Sequence, residues 1–317
     1  MSHSVFFFLF NIYNNTDYLY GGYILKPTKK QHYISQYTLK RFLNSNGQID
    51  AVLLKPSLKR ITCSIKDICT EKDFYEDKDR NGNYINRNHT ENKFAKIESD
   101  LAGYLEHILG ILEEKDRDQK LKKMVETGEF ETLTVQLMTH LSMVIVRLPE
   151  IKKIAFKGTL PREIEHMFYK GILWGDEEAV ELAKASYQNT KLKMFEELFS
   201  RNPQTGVLNT LINYIINDYY LEFYETPKEN KLFFSDSPVI VHDVSDIDYF
   251  LPISSTYAIA LKKFSEINFI HYYAPHIMSE KMVTDINRLV IQNASNVIIC
   301  KNMTTEDEIF IKEWRTL

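Results

Sequence analysis

The apolar positions of this chain change their period along its length. Read as a helix, His32-Tyr33-Ile34-Ser35-Gln36-Tyr37-Thr38-Leu39-Lys40-Arg41-Phe42 places His32, Gln36, Leu39 and Leu43 on one face, because residues three and four apart stack. Two polar side chains then share a docking face, and each needs a hydrogen-bonding partner or costs about 1 to 3 kcal/mol. Ala51 to Leu54 and Ile61 to Ile65 read as a strand pair broken at Pro56. Glu71 to Asn88 is polar and turn-rich, which reads as an exposed loop. From Thr90, taken as N-cap, Phe94, Ile97, Leu101, Leu105 and Ile108 repeat at helical spacing, with Glu98 among them and Glu91 on the extension of the same stripe.

The stretch from about Glu131 to Arg147 is apolar on most sides and reads as a central helix. A polar line of Gln136, His140 and Arg147 runs through it. Helices are also expected from Pro161 to Leu173, from Asp176 to about Arg201, and near Val207 to Ile215. Beyond Tyr219 the period becomes strand-like: Tyr220 to Tyr224, Leu232 to Phe234, Val239 to Val241, Tyr257 to Leu261 and Asn268 to Tyr273 are rich in aromatic and β-branched residues. A helix over Ser279 to Ala294, a strand over Asn296 to Cys300 and a helix ending near Trp314 follow. The pattern as a whole predicts an α+β protein in one domain, residues 1–317. A predominantly helical bundle, from about 30 to 215, packs on a small C-terminal β-sheet between about 216 and 317.

Composition narrows this only slightly. The 317 residues are 44% hydrophobic and 26% charged, enough for a sizeable core. Lys and Arg total 39 against 43 Asp and Glu, a formal charge of -4, so no global basic field awaits a nucleic-acid backbone. The three cysteines, Cys63, Cys69 and Cys300, form no Cys-x-x-Cys pair, which argues against a zinc ribbon or a disulfide framework and fits a reducing cytoplasm. Val5-Phe6-Phe7-Phe8-Leu9-Phe10 lacks a basic flank and is far shorter than the roughly 20 residues of a spanning helix, so it reads as a buried strand and no membrane association is expected.

Periodicity turns inward His32, Gln36, Glu98 and Arg147, and Asp236 sits in the turn Ser235-Asp236-Ser237-Pro238. If the five converge, His32, Glu98 and Asp236 supply donors for a hard divalent ion such as Mg or Mn, and Arg147 neutralises a phosphate. That combination describes a metal-dependent phosphodiester or nucleotide hydrolase, with a nucleotide or nucleic acid as partner. Each residue also has a plainer account: Arg147 answers a helix dipole, Asp236 bonds backbone N–H groups in its turn, and the set forms a structural polar network in a non-catalytic ligand-binding or protein-interaction module. Geometry separates the two, since catalysis needs an open cleft with unpaired carboxylates. Gly-x-Gly-x-x-Gly, Walker and Gly-x-Ser-x-Gly motifs are missing, which disfavours a Rossmann enzyme, a P-loop NTPase and an α/β-hydrolase. Arg162 and His166 read as an amphipathic surface turn.

Taken in order, His32 to Phe42, Asp73-Phe74-Tyr75, Glu91 to Glu98, Arg147-Leu148-Pro149, Ser235-Asp236-Ser237-Pro238 and Phe250-Leu251-Pro252-Ile253-Ser254 resemble the bacterial family DUF4238, a domain of unknown function. The resemblance spans nearly the whole chain and implies a shared fold and shared polar positions, with no reaction to transfer. Ser35 stands where the family usually has proline, and Val144 where a glutamine is common three residues before the arginine.

Overall fold

A computed structural model describes residues 29–78, 82–85, 87–148, 207–241, 247–264 and 274–316. The chain opens on strand β1 (Lys30–His32), helix α1 (Gln36–Leu39) and a 3-10 turn over Lys40–Phe42. Strands β2 (Ile49–Leu53), β3 (Lys59–Cys63), β4 (Thr70–Lys72), β5 (Asp77–Lys78) and β6 (Tyr84–Ile85) follow. Helices α2 (His89–Leu112), α3 (Arg117–Thr127), α4 (Glu129–Val146) and α5 (Val207–Asp218) come next. The remainder is β7 (Tyr219–Glu225), β8 (Phe234–Ser235), β9 (Tyr249–Pro252), β10 (Tyr257–Lys263), β11 (His276–Ile277), α6 (Glu280–Asn293), β12 (Val297–Ile299) and α7 (Thr305–Thr316).

The expectation of a helical bundle with one small C-terminal sheet is corrected by the strand pairing. Among the described residues there are two four-stranded sheets, ordered β11-β7-β10-β9 and β3-β2-β12-β8, and two two-stranded ribbons, β1-β4 and β5-β6. The fold is a mixed α+β arrangement in which strands from the first and last parts of the chain share a sheet. Antiparallel β2 and β12 pair Leu53 with Val297 and Ala51 with Ile299. Local patterning foresees the β2-β3 pair but carries no information about which distant strand completes it.

The sheets lie between two hydrophobic clusters. Along β10, Tyr257, Ile259 and Leu261 enter one cluster, whereas Ala258 and Ala260 enter the other. β12 divides in the same way, with Val297 and Ile299 against Ile298. Side chains alternate faces along a strand, so a strand covered on both sides reads as a continuous apolar run. The first cluster takes α2 to α5 and the second takes α6 and α7. Phe94, Ile97, Leu101, Leu105 and Ile108 of α2 are all buried, as their spacing foretold.

Helix α4 packs against α2, α3 and α5. Its interior position explains why every residue from Leu137 to Leu148 is buried. Gly128, at φ 77°, turns the chain from α3 into α4. α6 is capped by Ser279, whose Oγ accepts from the Met282 N–H at 3.2 Å. Before α7, Thr304 and Asp307 cap each other reciprocally, at 2.7 and 3.2 Å.

The expected strands at Val5 to Phe10 and Asn268 to Tyr273, the expected helices from Pro161 to Arg201, and Arg162 and His166 lie outside the described residues.

Candidate functional site

His32 ends a strand, contrary to the reading that placed it on a helix. β1 pairs antiparallel with β4, setting Gln31 opposite Glu71 and His32 opposite Thr70. Gln31 is fully buried: its Nε2 donates to Glu76 Oε1 at 2.6 Å and its Oε1 accepts from the Tyr75 N–H at 2.8 Å. These bonds hold the hairpin against the segment carrying Tyr75. The His32 carbonyl accepts from the Tyr75 hydroxyl at 2.9 Å.

Arg147 caps the end of α4 and is almost wholly buried. Its Nε donates to the Tyr75 hydroxyl at 2.7 Å, its Nη1 to Glu98 and its Nη2 to the His32 carbonyl. The guanidinium also lies 4.5 Å from the centre of the Phe94 ring. One cation therefore joins α4, α2, β1 and the Tyr75 segment. A buried charge is tolerated only when paired and hydrogen-bonded, and Arg147 is both.

On the solvent side of this junction is a cleft of about 270 Å³, lined by His32, Gln36, Tyr37, Glu91, Glu98 and Arg147, with Ala95, Ser99 and Ala102 of α2. His32 Nε2 donates to the Ile65 carbonyl at 3.1 Å, and Gln36 Nε2 lies 3.5 Å from His32 Nδ1. The carbonyl can only accept, so the proton is on Nε2 and Nδ1 is the acceptor. Burial lowers the His32 pKa and Arg147 adds to the effect, against the Ile65 bond, which favours the cation. The ring is thus held neutral.

Glu91 differs from Glu98 in its pairing. Its Oε2 is buried and has no hydrogen-bond partner among the described residues. Burial raises the Glu91 pKa; nearby Arg147 opposes the rise and the like charge of Glu76 reinforces it. Behind the cleft wall, the Tyr37 hydroxyl and His140 Nδ1 are 2.6 Å apart. Burial pushes Tyr37 up to about 12 and His140 down to about 4.

The structure therefore brings together His32, Gln36, Glu98 and Arg147, four of the residues that periodicity selected. Asp236 does not line the cleft. Its carboxylate accepts from the Ser295 N–H at 2.9 Å, the Asn296 N–H at 2.8 Å and the Asn296 side-chain amide at 2.8 Å, tying the turn after β8 to the start of β12. Two of these bonds come from backbone N–H groups, which commits Asp236 to holding the backbone. Among the described residues no group of three or more His, Cys, Asp and Glu side chains is placed to hold a metal ion, so His32, Glu98 and Asp236 do not form one ligand set. Glu91, Tyr37 and Tyr75 are the site residues that the sequence left out. The available signal for Glu91 was its place on the Glu98 stripe, two turns earlier on α2.

Fold and cleft together define a mixed α+β domain with a carboxylate- and arginine-lined cleft at the junction of a central helix and an N-terminal hairpin. The chain belongs to the family described as Protein of unknown function (DUF4238), whose model matches residues 30–304. No curated protein and no solved structure matches it. No helix among the described residues is long and apolar enough to cross a membrane.

Proposed function

We propose that the chain hydrolyses a phosphodiester or a nucleotide in the cleft lined by His32, Glu91 and Arg147. The observation that carries this reading is the buried, unpartnered Oε2 of Glu91 in a cleft that also holds a cation and a neutral imidazole. A desolvated carboxylic acid keeps its proton closer to neutral pH and is suited to general acid catalysis. Glu91 protonates the leaving oxygen as the phosphorus–oxygen bond breaks. His32 Nδ1, released from its long 3.5 Å contact with the Gln36 amide, takes a proton from the attacking water. Arg147 stabilises the developing negative charge through the N–H bonds left on its terminal nitrogens, while Glu98 fixes its orientation. Gln36 orients His32. Mg and Mn belong in the assay, because such ions are commonly held by one or two carboxylates together with substrate phosphates.

The test is turnover of bis-p-nitrophenyl phosphate and of a panel of nucleotides by the purified full chain, with Mg, with Mn and with EDTA. Glu91→Gln is expected to cut the rate by about 10²- to 10⁴-fold without lowering the melting temperature. No turnover of any substrate, or full activity in Glu91→Gln, would overturn the reading.

A second reading, a non-catalytic module stiffened by a polar network, is favoured by one observation: each of the three nitrogens of Arg147 already donates to a group within the chain. On that reading Glu98→Gln lowers the melting temperature sharply and no variant changes any turnover.

A further inference from the structure

Helix α4 carries more buried polar side chains than its packing requires. Two of them satisfy themselves: Thr139 Oγ1 donates to the Val135 carbonyl at 2.8 Å and Ser142 Oγ to the Met138 carbonyl at 2.9 Å, the usual back-bonding of short hydroxylated residues in helices. Gln136 and His140 are too long for that bond. They lie four residues apart and therefore share one face of the helix. Gln136 is 1% exposed and His140 2%, and the Nε2 atom of each is buried without a partner among the described residues.

His140 has only one of its ring nitrogens engaged. The Tyr37 hydroxyl, 2.6 Å from Nδ1, keeps its proton at any ordinary pH and donates it. A neutral imidazole that accepts at Nδ1 carries its hydrogen at Nε2. Gln136 Nε2 brings further N–H bonds one turn earlier. Two buried donor nitrogens on side chains one helical turn apart, both unmet among the described residues, cost about 1 to 3 kcal/mol each unless something accepts from them. Native interiors almost always satisfy such groups, through protein or through an ordered oxygen.

We propose that Gln136 and His140 form a buried binding site on α4 for one small neutral oxygen acceptor, a hydroxyl or carbonyl oxygen, adjoining the wall of the cleft through Tyr37. The acceptor is neutral because neither donor is charged. It has two sources with the same chemistry: an ordered water, or a hydroxyl or carbonyl group of a bound small molecule. The inference does not depend on turnover in the cleft, so it stands or falls apart from the hydrolase reading.

The sign of one substitution tests it. Gln136→Met replaces the amide by an apolar chain of similar volume, with thermal unfolding of the full chain as the readout. If the site holds an oxygen, the variant removes one of the two donors that hold it, and the melting temperature falls by a few degrees. If both nitrogens are empty donors, removing one raises it. A rise, or no change, overturns the proposal. A second measurement separates the sources and guards against a packing defect. In protein with ¹⁵N-labelled histidine, an oxygen at the site gives a protonated, slowly exchanging His140 Nε2. A cross-peak from that proton to water assigns a water, and release of a stoichiometric small molecule on denaturation, detected by mass spectrometry, assigns a ligand. Rapid exchange of the Nε2 proton overturns the proposal whatever the melting temperature does.

Discussion

At the residue scale, the energetics of the site follow from which charges are paired. Arg147 loses hydration on burial and recovers it through Glu98, Tyr75 and the His32 carbonyl, so removing any one of these groups leaves the guanidinium short of a partner. His140 carries the clearest pH dependence. Its folded pKa of about 4 lies below the ordinary histidine value of 6.5, so the unfolded chain binds a proton there that the folded chain refuses. The sign follows directly: as pH falls from 6.5 toward 4, proton uptake by the unfolded state draws stability away, and above 6.5 the site has no effect. The loss attributable to His140 amounts to about 3 kcal/mol. Urea unfolding of wild type and His140→Gln at pH 7, 5.5 and 4 isolates it. The difference between the two proteins should change by that order across the series, and an unchanging difference would show that His140 titrates normally.

At the element scale, the turn between α3 and α4 depends on a backbone conformation that side chains disfavour. Gly128 sits at φ 77°, and a Cβ built on it meets nothing within 4 Å. Strain alone then sets the cost of Gly128→Ala, about 1 to 2 kcal/mol, which a shift in denaturation midpoint would register. A neutral substitution would mean that the turn relaxes. Helices α2 and α4 were legible in the sequence, since the Phe94 to Ile108 stripe and the apolar α4 both emerge where spacing puts them, whereas α3, with only Leu121 and Met124 buried, was not read. β1 was not legible. Lys30-Gln31-His32 has no apolar alternation, and its buried residue is a glutamine held by Glu76 and Tyr75, a partnership that only tertiary structure reveals. The same holds for the site. Glu98 and Arg147 were deducible one element at a time, whereas His32 was assigned to a helix and ends strand β1. The isolation of Glu91 and the commitment of Asp236 to the backbone of Ser295 and Asn296 depend on neighbours far along the chain.

At the scale of the molecule, the sheet β3-β2-β12-β8 binds the two ends of the described chain into one structure. Through the Ile299 to Ala51 and Ile298 to Ser235 pairings, β12 links β2 to β8. A chain ended after Asn293 keeps α1 to α6 and every other strand, yet loses the middle of this sheet and exposes both hydrophobic clusters. It is expected to melt without a cooperative transition and to be cut rapidly by protease at 25 °C. A sharp, native-like melt of that truncation would mean that the helical layer folds independently of the sheet.

The place of β12 also has a consequence for synthesis. β2 and β3 leave the ribosome as a bare hairpin, and the strand that completes them emerges only after nearly all of the intervening chain. During that interval Ile49, Ala51 and Val52 face water with one edge open, inviting the wrong partner. A cell short of chaperones should therefore yield this protein as aggregate, and slowing translation should not help until Val297 to Ile299 have appeared.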